Sequence, residues 1–152
     1  MAHTFTDSGL SALLCVFPRS AVIPAVMYAG LFASQTSGTV PDRTAHGGAA
    51  PGGWTETPQF ASARQVISAS QWSVPIISGN GVAVTGIQLT FPTATANGLS
   101  ANGFFLSDLI SSKAGDNPFF FANFDDLSMI AINSGDVVRI TPRLQFNISA
   151  LS

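Results

Sequence analysis

Apolar positions along this chain change their spacing at Pro18. Before it, Leu10, Leu13, Leu14 and Phe17 stand at the three- and four-residue intervals of a single helical stripe. Thr6-Asp7-Ser8-Gly9 offers N-cap chemistry ahead of Leu10, and Pro18 stops the pattern, so a short helix is predicted over residues 7–17. Residues 21–33 then form an apolar run that reads as a mostly buried strand, with Pro24 placing its start near a sheet edge.

Residues 34–58 are different in kind. Gly38, Gly47, Gly48, Gly52 and Gly53 alternate with Pro41, Pro51 and Pro58. The stretch predicts one extended loop, or an arm that orders against a neighbour. From Phe60 onward the pattern is strand after strand. Residues 63–74 lead to Ser78-Gly79-Asn80-Gly81, whose Asn-Gly is a hairpin signal. Residues 82–91 end in alternation, with Ile87, Leu89 and Phe91 on one face and Gln88 and Thr90 on the other. Residues 92–102 read as a loop, 103–110 as a strand and 111–117 as a polar turn before Phe119-Phe120-Phe121. Asn133-Ser134-Gly135-Asp136 is a last turn ahead of a strand over 137–148, in which Pro142 marks a bulge or an edge. The prediction is all-β: one antiparallel, jelly-roll-like β-sandwich domain over 1–152, with a short N-terminal helix and the long Gly/Pro-rich loop.

Composition sharpens this picture. The chain carries one Lys (Lys113) and one Glu (Glu56); 9% of it is charged while 46% is hydrophobic. Its polar exterior must therefore come from hydroxyls, amides and glycine, which cost far less to desolvate than ions. Such a surface suits a protein that is covered by neighbours. A net charge of −2 lacks the basic footprint of a nucleic-acid binder. Pro18, Arg19, Ser20 and Pro24 break residues 10–33 into pieces shorter than the roughly 20 apolar residues of a membrane-spanning helix. The same segment lacks the positive n-region of an export signal. Neither nucleic acid nor membrane is expected as a partner, and Cys15, alone in an apolar run, is expected to be an inert thiol.

Catalytic patterns were sought and none emerges. Gly98-Leu99-Ser100-Ala101-Asn102 fails the last position of a nucleophile elbow. His3 and His46 sit at the terminus and in the Gly-rich loop, and with Cys15 they match no zinc spacing. Asp116, Asp125 and Asp126 lack the pattern of a calcium loop and suit turns and caps. Gly79-Asn80-Gly81 opens a strand and not a helix, against a dinucleotide loop. Glu56 and seven Asp supply carboxylates, but no pattern selects a glycosidase pair. No catalytic, cofactor-binding or metal-ligating residue is assigned, and a non-enzyme is expected.

The aromatic clusters Phe104-Phe105, Phe119-Phe120-Phe121 and Phe124 exceed what one sheet face can bury, because adjacent residues point to opposite faces. Either the chain itself covers both faces, or one of them packs a neighbouring subunit. The pattern alone leaves both open.

These strands resemble a family of small phage structural proteins commonly labelled phage tail fibre protein. The resemblance rests on Phe60-Ala61-Ser62-Ala63-Arg64-Gln65-Val66-Ile67, on Leu89-Thr90-Phe91-Pro92-Thr93-Ala94-Thr95, on Gly103-Phe104-Phe105-Leu106-Ser107-Asp108 and on Asn133-Ser134-Gly135-Asp136-Val137-Val138-Arg139-Ile140. The segments at 34–58 and 111–117 are longer than the family pattern. The resemblance implies a virion β-sandwich, assembled in the host cytoplasm, with no enzymatic residue to transfer. The expected role is an accessory capsid cement or decoration protein. Its partners would be the major capsid protein and copies of itself in a trimer. The alternative is a tail or tail-fibre module in contact with tail proteins, with Trp54, Trp72 and Tyr28 facing host glycans.

Overall fold

The computed structural model describes residues 3–5, 26–34, 54–78, 81–110, 118–124 and 129–147. Their elements are β1 (His3–Phe5), β2 (Val26–Ser34), β3 (Trp54–Glu56), β4 (Gln65–Ser68), β5 (Ile76–Ser78), β6 (Gly81–Thr85), β7 (Leu89–Thr90), β8 (Leu99–Ala101), β9 (Gly103–Ser107), β10 (Phe120–Asn123), β11 (Ile130–Ile132), β12 (Arg139–Ile140) and β13 (Arg143–Asn147), with 3-10 turns at Pro58–Phe60 and Ala69–Gln71. The chain is all-β, and the strand pairs among the described residues are antiparallel. The predicted helix over 7–17 lies outside the described residues, as does the polar turn at 111–117.

The largest sheet runs β1-β10-β9-β2-β3, with β4 also paired to β2. Its two faces bury different clusters. Ala29, Leu31, Ile67, Phe104, Leu106, Phe120 and Ala122 point to the main core. That core is closed from the other side by Leu89, Phe91 and Ala94, by Ala101 and Ile132 of the β8–β11 pair, and by Ile140 of β12. Leu144 of β13 packs against it, which brings in the β13-β6-β5 sheet. The layering is sandwich-like. Phe32, Phe105 and Phe121 form a second cluster on the opposite face of the large sheet.

Several elements differ from the sequence reading, each for a local reason. The expected strand over 63–74 ends at Ser68, where Ser68 and Gln71 form a capping box: the Gln71 Oε1 accepts from the Ser68 N–H at 2.8 Å. The loop expected over 34–58 is shorter at both ends. Ser34 belongs to β2, and Trp54–Glu56 is a strand paired to it at Ser34↔Trp54 and Phe32↔Glu56. Thr57 is fully buried, its hydroxyl donating to the Ser100 carbonyl at 2.8 Å. The strand expected over 82–91 is two strands on different sheets. Gly86 N–H donates to the Pro142 carbonyl and Ile87 N–H to the Gln71 carbonyl, so the chain turns out of one sheet here. Ile87 is consequently 41% exposed and does not share the buried face of Leu89 and Phe91. Inside the loop expected over 92–102, residues 99–101 form β8, paired to β11.

Other expectations hold. β5 and β6 form the hairpin, with Ser78 opposite Gly81. The single strand expected over 137–148, with Pro142 as a bulge or edge, is by contrast two strands on different sheets, β12 paired to β7 before Pro142 and β13 paired to β6 after it. The turn at 133–136 is tied by the Asp136 carboxylate, which accepts from the Asn133 N–H at 2.8 Å, and by Gly135 at φ 97°.

Candidate interaction surface

The aromatic clusters come first, because they were the residues most suggestive of an interface. Phe104 and Phe120 are 2% and 1% exposed, and Phe32, Phe105 and Phe121 are 0% exposed within one chain. Phe32 and Phe121 meet edge to face with ring centroids 5.3 Å apart. Phe119 and Phe124 pack against the main core. The chain itself encloses these strands, so the aromatic faces are not the contact between subunits. The layer that closes the main core was invisible in the sequence because it is assembled from strands far apart along the chain.

Beside the second cluster lies a buried ion pair. Arg64 is read from the loop after the 3-10 turn at 58–60, and Glu56 from β3. Arg64 Nε and Nη2 donate to Glu56 Oε1 and Oε2, both at 2.8 Å, and Nη1 donates to the Leu109 carbonyl at 2.8 Å. The guanidinium also stacks on Phe105, 4.8 Å from its centroid. Gly30 makes room for this stack: an added Cβ would run into the Phe105 ring and lie 2.9 Å from Glu56 Oε1. The only Glu of the chain is thus held bidentately by a cation. Both of its oxygens are engaged, which removes it from the acid–base role that its isolation in the sequence left open. The pair was legible only as two charges in a charge-poor chain.

Elsewhere the chemistry is spare. Among the described residues there is no group of three or more His, Cys, Asp and Glu that could hold a metal. Cys15, His46, Asp116, Asp125 and Asp126 lie outside them, as does the side chain of His3. Ser100 lies in β8 opposite Ala131, not at a strand-to-helix turn. Trp72 is half-buried against the core, with its Nε1 enclosed and without a hydrogen-bond partner, which is not the posture of a sugar-stacking platform. No helix among the described residues is long and apolar enough to cross a membrane.

What the surface does offer is apolar. Between Arg64 and Asp108 the chain has no Asp, Glu, Lys, Arg or His. Within that span Val66, Val74, Ile76 and Ile77 are 49%, 80%, 58% and 79% exposed. Exposed ionic side chains among the described residues are Asp108, Asp136, Arg139 and Arg143. Two of them lie beside that span in the fold, Arg139 opposite Thr90 and Arg143 opposite Thr85. Exposed apolar side chains are thus gathered on and next to β5, at Val74, Ile76 and Ile77. No family model, curated protein or solved structure matches the chain.

Proposed function

We propose that this chain is a bacteriophage virion structural protein, an accessory capsid cement or decoration protein that bridges capsid subunits and copies of itself. The fold proposed for it is a jelly-roll-like sandwich preceded by the short helix at 7–17. The observation that carries the reading is a run over 65–107 without an ionisable residue, from which Val74, Ile76 and Ile77 are presented to solvent. Contacts made by such a surface need no desolvation of ions, and they are insensitive to salt. Many copies acting together make individually modest contacts strong. The resemblance of the segments at 60–67, 89–95, 103–108 and 133–140 supports the same reading.

The Gly/Pro-rich segment between Ser34 and Trp54 is proposed to reach the neighbouring capsid subunit. The tail-fibre alternative draws no support from Trp72, whose ring lies on the core.

The test is copy number. Densitometry of purified virions against the major capsid band is expected to give a stoichiometry of the order of one copy per capsid subunit or capsomer. A handful of copies per particle, or absence from particles, overturns the proposal.

A further inference from the structure

β5 is the outermost strand of the β13-β6-β5 sheet. Hydrogen bonds at the far end of β6 fix which way its backbone groups point. Ser73 N–H donates to the Thr85 carbonyl, and Gly86 N–H donates to the Pro142 carbonyl on the β13 side. Residues 81, 83 and 85 therefore bond toward β5, and 82 and 84 toward β13. Ile77 stands opposite Val82, so its own N–H and C=O are directed off the sheet. Among the described residues the strand is thus an open edge carrying one reciprocal donor–acceptor unit at Ile77.

Protein edges are ordinarily guarded by Lys, by inward charges or by covering loops. This one is bare. Ile76 and Ile77 are 58% and 79% exposed on opposite faces, Val74 beside them is 80% exposed, and no ionisable residue occurs from Gln65 to Ser107. The Ile77 unit decides the occupant: an outward N–H and C=O on one residue are complementary to the same residue of a second copy, and the strand itself carries no charge to repel that copy.

We propose that β5 pairs antiparallel with β5 of a second copy, about a two-fold axis at Ile77, joining two three-stranded sheets into one sheet of six strands. Register follows from Pro75, which has no N–H. Setting Ile77 against the second copy's Ile77 satisfies its N–H and its C=O together, whereas setting it against Pro75 leaves the Ile77 carbonyl of each copy without a donor. The contact is isologous and closes at two copies. It does not depend on the virion assignment, which stands or falls on particle stoichiometry.

Light scattering of the full chain tests this. A mass of twice the 15.7 kDa chain is expected. Ile77→Pro removes the outward N–H without touching a bond to β6, and Ile77→Lys places a charge at the axis. Each is expected to raise the dimer dissociation constant at least tenfold with an unchanged far-ultraviolet circular dichroism spectrum. Ile87→Lys, exposed but off this edge, should stay dimeric. If Ile77→Pro unfolds, Ile77→Lys alone decides. A monomeric or trimeric wild type, or a dimer that survives Ile77→Lys, overturns the proposal.

Discussion

The Glu56 carboxylate and the Arg64 guanidinium satisfy one another in a place where neither could stand alone. Removing one partner of a buried pair leaves a stranded charge, so Glu56→Ala is expected to cost about 3–5 kcal/mol, read as a lowered urea midpoint. Replacing both, by Glu56→Leu with Arg64→Met, should recover most of that loss, because hydrophobic groups of similar volume tolerate the same site. Asn123 poses the opposite case. It is 0% exposed, and neither its Oδ1 nor its Nδ2 has a hydrogen-bond partner. An unsatisfied buried amide is worth about 1–3 kcal/mol against the fold, so Asn123→Val should raise the midpoint. Gly103 is constrained by backbone: a Cβ there would collide with the Ala122 carbonyl of β10, which cannot swing aside. Gly103→Ala is expected to cost about 3 kcal/mol, near the upper end of overpacking effects, again measured by urea denaturation.

Among the elements, the Gly/Pro-rich segment is bounded more narrowly than its composition suggests. Ser34 and Trp54 are cross-strand partners, so the ends of the segment lie one strand spacing apart, roughly 5 Å. Replacing residues 36–52 with a short Gly/Ser turn is expected to leave the thermal midpoint within a few degrees of the wild type. Extending the deletion to residue 58 should unfold the protein, since it removes β3, the buried Thr57 and the Glu56 partner of Arg64. Calorimetry of the two variants separates these outcomes. The same bounds explain a sequence misreading. Trp54-Thr55-Glu56 is too short to display alternation, and only its pairing with β2 makes it a strand. Residues 99–101 repeat the lesson, because their partner, residues 130–132, lies across a separate stretch of chain.

For the molecule as a whole, the distribution of charge matters more than its total. Two ionic side chains neutralise one another inside, and the sequence from Gln65 to Ser107 contributes no charge at all. If that span is the contact surface in a particle, retention should be indifferent to ionic strength, because screening acts on charges that are not there. Virions washed at about 1 M salt, where the Debye length is only about 3 Å, are expected to keep this protein at full stoichiometry by densitometry. Stripping by salt alone would place charged contacts at its interface. The variant lacking residues 36–52 should fold yet fall in particle occupancy, and full occupancy would remove that segment from the contact.

The residues alone determined that this chain is all-β, that Ser78 and Gly81 flank a hairpin, that Pro142 disturbs the last strand region without showing that it divides it between two sheets, and that the chain is poor in ions. Each follows from local chemistry: alternation, turn propensity, a missing N–H, a count of side chains. Tertiary structure decided the rest. Whether Phe104 and Phe120 face water, a neighbour or the chain's own interior depends on strands distant in sequence, and no local pattern records which layer closes over them. Glu56 found Arg64 only because β3 lies along β2. Ile77 became an open backbone site only because its hairpin stands at the rim of a sheet, where half of every strand's hydrogen-bonding capacity is left over.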